Sequence, residues 1–294
     1  MSFPSSREKY YSGIRSPLKD RLVQFLESHP LQRIDASGER WTYFAGGSGK
    51  ETLVLLPGGL GIAEPWFDCM LDWERQFRVV AISYPLVTSA SSAVQAIATV
   101  LERESAGRSY LLGTSLGGEI AQAFLRQRPG QLSRVVLGNT GEANADYGKK
   151  LKRQMPLMKL FTTRFAFALL KVAARNRVLK LLKPYLSNDD LEFWTAYMTD
   201  VIDNEYSPDL MRSQFNVLQD FATHYTGAIK IPPATEMLIV EAEDDIMFSQ
   251  ERREKLKSIF PAARVKTYTG GGHLLAITKR SEYVADITKF LTAQ

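Results

Sequence analysis

Two rhythms of hydrophobic and polar residues divide this chain. Up to about residue 140, short apolar runs alternate with stretches of helical period, the mark of a sheet whose strands are joined by helices. The runs Thr52–Leu56, Arg78–Ile82, Tyr110–Leu112 and Val135–Leu137 predict buried strands, and Glu64–Arg75, Ala90–Glu104 and Leu116–Gln127 predict helices between them. Ahead of these, residues 1–30 read as a polar lead-in with one short helix, Pro17–Glu27. The pair Gln32–Asp35 and Arg40–Phe44 predicts an antiparallel hairpin around Ala36-Ser37-Gly38. Residues 146–230 lack β-branched strand runs and read as helix almost throughout. After Pro232-Pro233 the alternation resumes with strand Met237–Val240, helix Ser249–Ile259, strand Ala263–Tyr268 and helix Glu282–Leu291. The expected architecture is α/β, a mostly parallel sheet with helices on both faces. Residues 1–145 and 231–294 form the core, and 146–230 a helical cap inserted late in the sheet.

The segment Gly113-Thr114-Ser115-Leu116-Gly117 places G-x-S-x-G between a predicted strand and a predicted helix. A strand that turns sharply into a helix forces the central serine into a strained conformation, and the residues two before and two after it must be small. The hydroxyl then stands clear of the sheet, beside the amides of a helix N-terminus that favour developing negative charge. Ser115 is the candidate nucleophile. A serine of this kind needs a base and an orienting acid. Of three histidines, His29 in a Ser-His-Pro turn reads as a surface residue and His224 as a packed or surface residue of the cap. His273, after Gly270-Gly271-Gly272 and the last strand, is the candidate base. Four acids follow strand Met237–Val240. Asp245 is preferred as the acid because the chain has cleared the strand by then, Asp244 is second, and Glu142 is a more distant alternative. The oxyanion donors expected are the amides of Leu116 and of Gly59, with Leu60 as the alternative to Gly59.

These residues resemble the α/β-hydrolase superfamily, over roughly residues 35 to 292. Within it, Leu56-Pro57-Gly58-Gly59-Leu60-Gly61, Arg78-Val79-Val80-Ala81-Ile82-Ser83-Tyr84-Pro85 and Gly113-Thr114-Ser115-Leu116-Gly117-Gly118 look like the maspardin-like branch. The usual Gly-x-x-Asp of the acid loop becomes Ala242-Glu243-Asp244-Asp245, which favours Asp245. The resemblance implies hydrolysis of a carboxylic ester or thioester through an acyl-serine, with no metal and no organic cofactor. Some maspardin-like proteins lack the histidine and look like binding proteins. This chain has it, which favours an enzyme over a scaffold; a carbon–carbon bond hydrolase on the same triad is a further alternative. Two nucleotide motifs fail. Gly46-Gly47-Ser48-Gly49-Lys50 has Glu51 where a phosphate loop needs Ser or Thr. Gly59-Leu60-Gly61 has Glu64 where a dinucleotide loop needs its third glycine.

Composition adds a location for the charge. The 294 residues carry 37 Lys and Arg against 32 Asp and Glu, a net +5. From Lys149 to Asn188 there are eleven cations and no acid; from Asp189 to Lys230 there are eight acids and two cations. The excess therefore lies in the cap, and nucleic-acid binding is not expected, since no recognised module accompanies it. Met158, Phe161, Phe165, Leu169 and Val172 recur at helical spacing, with Lys159, Arg164, Lys171 and Arg175 off that face. The stripe is expected to pack over the site; the other reading is peripheral contact with an anionic membrane. Phe161, Phe165 and Trp194 are candidate pocket residues for an apolar or aromatic acyl group of a small-molecule ester. Cys69 alone rules out an internal disulfide and a cysteine-based zinc site. With 45% hydrophobic residues, no apolar run of the ~18–20 residues a span needs and no signal-peptide core, the expectation is a cytoplasmic globular protein.

Overall fold

A computed structural model describes residues 6–105, 107–158 and 164–293. Eight strands form one sheet: β1 (Gln32–Ala36), β2 (Glu39–Gly46), β3 (Thr52–Leu56), β4 (Arg78–Ser83), β5 (Ser109–Thr114), β6 (Arg134–Gly138), β7 (Glu236–Ala242) and β8 (Arg264–Tyr268), in the order β1-β2-β4-β3-β5-β6-β7-β8. The pairs β1–β2 and β2–β4 are antiparallel and all others parallel. Ser37 and Gly38 both take left-handed φ angles of 54° and 79°, the geometry that lets a two-residue turn match the twist of its strands. Strands β3 and β6 are buried along their whole length, as expected of inner strands covered on both faces.

Helices supply that cover. On one face lie α2 (Pro17–Ser28), α3 (Phe67–Trp73) and α12 (Arg280–Thr292), through Leu22, Phe67 and Tyr283. On the other lie α4 (Ala90–Glu104), α5 (Leu116–Gln127) and α10 (Gln250–Ile259), through Val94, Phe124 and Leu256. The helix expected over 64–75 is shorter: Pro65 starts a single 3₁₀ turn, Glu64–Trp66, before α3 begins. The linker Gly46–Lys50 lies against the end of that helical segment. A β-carbon on Gly47 would fall 2.1 Å from the Phe77 carbonyl oxygen, and one on Gly49 2.2 Å from that of Gln76. Close backbone approach, not phosphate, accounts for these glycines.

Between β6 and β7 the described residues form four helices, α6 (Ala145–Met158), α7 (Arg164–Leu182), α8 (Asn188–Asn204) and α9 (Pro208–His224). Ser187 and Ser207 cap α8 and α9 with their hydroxyls. The apolar stripe expected to pack inward does not do so where it is described. Leu169 is 59% and Val172 47% exposed, while Phe167, off that stripe, is buried and stacks on Tyr206 at 5.9 Å. Lys159 and Phe161 lie outside the described residues, as do the side chains of Met158 and Phe165.

Among the described residues no Lys or Arg of 149–183 pairs with an acid of 189–224. The acids turn elsewhere. Asp200 accepts from Arg7 Nε at 2.6 Å, from the Tyr11 hydroxyl at 2.9 Å and from Asn204 at 2.8 Å. Arg7 also donates to both Glu64 oxygens at 2.8 and 2.9 Å. Asp190 accepts from the Ser16 hydroxyl at 2.7 Å. The polar lead-in is thus a strap, with α1 (Glu8–Tyr11) burying Tyr11 against α8. His29 also departs from expectation. It is buried, stacked on Phe25 at 4.5 Å and bonded to Glu74 at 2.6 Å, with its ring so close to Gly46 that a β-carbon there would collide with it. Among the described residues no helix is long and apolar enough to cross a membrane.

Asp200→Ala would leave Arg7 and Tyr11 without their shared acceptor on α8, at a largely buried site. The expected cost is on the order of 2 kcal/mol in urea unfolding at unchanged m-value. A midpoint equal to that of the parent would show that the strap does not stabilise the fold.

Candidate active site

Ser115 sits where β5 turns into α5, with φ 54° and ψ −120°. A non-glycine residue in this region costs ~1–3 kcal/mol and persists only where its surroundings enforce it. The enforcement is visible. The Ser115 amide donates to the Gly138 carbonyl at 3.0 Å, and the Thr140 hydroxyl donates to the Ser115 carbonyl at 2.8 Å. The flanking glycines leave no room for side chains. A β-carbon on Gly113 would lie 2.1 Å from the Gly117 oxygen, one on Gly117 2.3 Å from the Leu56 oxygen, and one on Gly118 2.6 Å from Thr140. Gly58 lies over the serine, and a β-carbon there would stand 3.3 Å from that of Ser115.

The histidine and the acid meet at the same edge of the sheet, beyond the carboxyl ends of the parallel strands, where ligands bind in such folds. His273 Nδ1 lies 2.9 Å from Asp245 Oδ2, and both side chains are buried. A carboxylate only accepts, so Nδ1 carries the hydrogen and Nε2 is the basic nitrogen. Burial pushes the Asp245 carboxyl up, but the hydrogen bond and charge of His273, the Asn139 amide and the Met247 N–H outweigh it. The net effect holds Asp245 below the usual carboxylate range. Asn139, at a left-handed φ of 41°, ties this pair to the elbow. Its side chain donates to Asp245 at 3.1 Å and to the Gly272 carbonyl at 3.2 Å, one residue after the Gly138 that binds Ser115.

Of the other expected acids, Asp244 bonds the Tyr185 hydroxyl and accepts the Gly272 amide at 2.9 Å, shaping the histidine loop. Glu142 accepts from Arg252 at 3.3 Å and from Asn144 at 3.2 Å. Neither touches His273. His224 bonds Asp220 at 2.8 Å on an exposed face.

Ser115, Gly59 and Leu116 line one cavity of about 230 Å³, and Phe248 lines it too while tilting over the His273 ring at 5.7 Å. Its walls are largely apolar and aromatic, among them Tyr206, Met211, Phe215 and Leu218. Leu60 is not among the lining residues. Trp194 is not either. It packs in the core against Phe67, Phe193 and Tyr197, and faces a larger hollow of about 390 Å³ that does not include Ser115. Its aromatic character reflects core packing rather than a pocket wall. Phe161 and the Phe165 side chain are outside the described residues.

Three further polar side chains of the cavity, Glu119, Gln214 and Arg252, do not stand out as site residues from the sequence alone. Glu119 carries a visible signal, a lone acid on the otherwise apolar first turns of α5. Burial pushes its carboxyl up to about 8, with Arg252 pulling it down and Glu142 adding to the rise. Asn139 carries a signal too, since asparagine tolerates a left-handed φ where a strand must turn.

A family model described as the alpha/beta hydrolase fold matches residues 51–280. Maspardin of Danio rerio is 23% identical over 268 residues, covering 88% of this chain and 81% of that protein. The 2-hydroxy-6-oxononadienedioate/2-hydroxy-6-oxononatrienedioate hydrolase of Burkholderia vietnamiensis is 32% identical over 123 residues, 36% of this chain and 43% of its own. Among solved structures, the esterase EaEST of Exiguobacterium antarcticum superposes with a TM-score of 0.71 at 15% identity, covering 89% of this chain and 99% of that one.

Gly117→Ala is expected to destabilise the protein by ~1–3 kcal/mol, since the atoms it would strike are backbone carbonyls that cannot swing aside. Urea unfolding measures this, and an unchanged midpoint would show that the elbow has room. Glu119 predicts a pH dependence of stability. Its folded pKa of about 8 lies above its ordinary 4.5, so its contribution is fully present below pH 4.5 and is lost as pH rises through 8. Across that window the loss is ~1.4 kcal/mol per pH unit. Thermal unfolding of Glu119→Gln should show a flatter profile from pH 5 to 8. Identical profiles would place the carboxyl in water.

Proposed function

Because the chain belongs to the alpha/beta hydrolase fold family, we propose that it is a serine hydrolase that cleaves a carboxylic ester or thioester through an acyl-serine intermediate. The observation that carries this reading is the backbone of Ser115. Its strained φ places Ser115 on the wall of a largely apolar cavity at the sheet edge, and Phe248, another wall residue, tilts over the ring of the buried His273–Asp245 pair. In the proposed cycle Ser115 Oγ attacks the ester carbonyl and its proton passes to His273 Nε2. Asp245 holds Nδ1–H and stabilises the imidazolium, and the Leu116 and Gly59 amides hold the oxyanion. Collapse of the tetrahedral species expels the alcohol with the proton from His273. Water activated by the same nitrogen then releases the acid and restores the serine. The apolar walls suit an apolar or aromatic acyl group. The buried Cys69 thiol, pushed up by its burial, suits a reducing compartment such as the cytoplasm.

A second reading, carbon–carbon bond hydrolysis by the same three residues, draws on the local similarity to the Burkholderia hydrolase. A third, a non-catalytic binding protein, draws on the similarity to maspardin. A fluorophosphonate probe, short-chain p-nitrophenyl esters and a β-diketone separate the three. The ester reading expects labelling abolished in Ser115→Ala and ester turnover reduced ~10³–10⁴-fold or more in Ser115→Ala, His273→Ala and Asp245→Asn. Turnover of the diketone alone would favour the second reading. Absence of both labelling and Ser115-dependent turnover would leave the third.

A further inference from the structure

His273 is carried by three glycines, Gly270, Gly271 and Gly272, at left-handed φ angles of 76°, 105° and 61°. With no β-carbon, such a run has wide backbone freedom and little preference of its own. The position of the histidine is therefore set by whatever bonds these peptides. Three side chains among the described residues do so. Thr278 donates its hydroxyl to the Gly271 carbonyl at 2.6 Å, and Asp244 accepts the Gly272 N–H at 2.9 Å, so the peptide between these glycines is held at both ends. Asn139 holds the next peptide, donating to the Gly272 carbonyl at 3.2 Å. The same Asn139 amide donates to Asp245 Oδ2 at 3.1 Å, the oxygen that faces His273 Nδ1 at 2.9 Å. Both outer anchors are themselves held. Asn139 is buried, and its backbone N–H bonds the Val240 carbonyl at 2.8 Å. Asp244 is braced by the Tyr185 hydroxyl, and a β-carbon on Gly272 would stand 3.1 Å from the Tyr185 ring.

We propose that Asn139 and Asp244 are positioning residues for His273, the two jaws of a clamp that fixes Gly272 at its carbonyl and at its amide. This rests on the ester-hydrolase reading above and deepens it, because it assigns the placing of the base to two residues that touch no reacting atom. The neighbours Asp244 and Asp245 then have distinct tasks. Asp245 holds the imidazole ring, and Asp244 holds the backbone behind it. Both jaws are needed. Gly272 has no side chain to hinder rotation about its φ and ψ, so releasing either end lets His273 swing about the other. The hydrogen bond that remains follows the loop without fixing it. Two consequences separate a clamp from a pair of unrelated contacts. Loss of one jaw slows the chemical step without weakening substrate binding, because Nε2 leaves its place while the cavity walls keep theirs. Loss of the second jaw then adds little, because groups that act on one element as a unit are not additive.

The test uses the full-length protein with two readouts. One is turnover of p-nitrophenyl butyrate; the other is the low-field proton resonance of His273 Nδ1–H, which needs no chemistry at Ser115. Asn139→Gly removes the amide and still accepts the left-handed φ of 41°. Asp244→Ala removes an exposed side chain, and Asp244→Asn keeps an oxygen able to accept the Gly272 N–H. Asn139→Gly and Asp244→Ala are each expected to lower kcat about tenfold with KM within about twofold of the parent, and to lose the resonance to faster exchange with water. The double variant should lose about as much as the more impaired single variant. Asp244→Asn should stay within about twofold of the parent and keep the resonance. Parent-like kcat and resonance in Asp244→Ala, losses that multiply to about a hundredfold in the double variant, an Asp244→Asn as impaired as Asp244→Ala, or a parent without the resonance would overturn the clamp. Asp244 is exposed, so its two variants decide the matter even where Asn139→Gly does not fold. A parent that neither turns over the ester nor reacts with the fluorophosphonate overturns the ester-hydrolase reading, and the resonance still decides the clamp.

Discussion

Everything at the site depends on how closely α5 approaches the sheet it leaves. Three glycines, Gly113, Gly117 and Gly118, bring the first turn of the helix onto the backbone of β3 and β5 and onto Thr140, at distances where any β-carbon would collide. That proximity leaves Ser115 no ordinary conformation. Its strain is held by two hydrogen bonds from the chain after β6, and the same short segment, Gly138-Asn139-Thr140, reaches across to the acid and the histidine loop. Ser115, Asp245 and His273 are thus positioned through one backbone bridge, on three elements far apart in sequence.

Much of this arrangement is legible in the amino-acid sequence, and the parts that are not share a cause. Strands buried on both faces leave continuous apolar runs, and a sharp strand-to-helix turn demands glycines at fixed offsets, so the sheet and the elbow can be read residue by residue. Spacing narrows the acid loop without resolving it, and geometry puts Asp245 on His273 while Asp244 shapes the loop beside it. What sequence does not reveal is which side of an element meets what. Leu169 and Val172 keep helical spacing yet face water, Trp194 is aromatic but belongs to the core, and His29 reads as polar yet lies buried on Phe25. Periodicity reports that a face exists, and only packing decides its neighbour.

The charge segregation of the insertion acquires a structural meaning of the same kind. Among the described residues its acidic half does not pair with its basic half. Asp190 and Asp200 belong instead to the contact with the N-terminal strap, and Asp220 accepts the first amide of α4. Two described cations of α7 bond neutral atoms, Lys171 the Asp203 carbonyl and Arg177 the Met247 sulfur.

That division has a mechanical consequence. The four inserted helices are not one lid on one hinge, because they are fastened to different things. Helix α8 is tied to the N-terminal strap by Arg7 and Tyr11, and α9 is tied to the core through Ser213 on the Val87 carbonyl and Asp220 on α4. Swinging the insertion away as a body would break both sets of anchors, one of them a buried ion pair. The insertion is instead held to the body at separate points along its length, with α6 packed on α9 and α7 on α8.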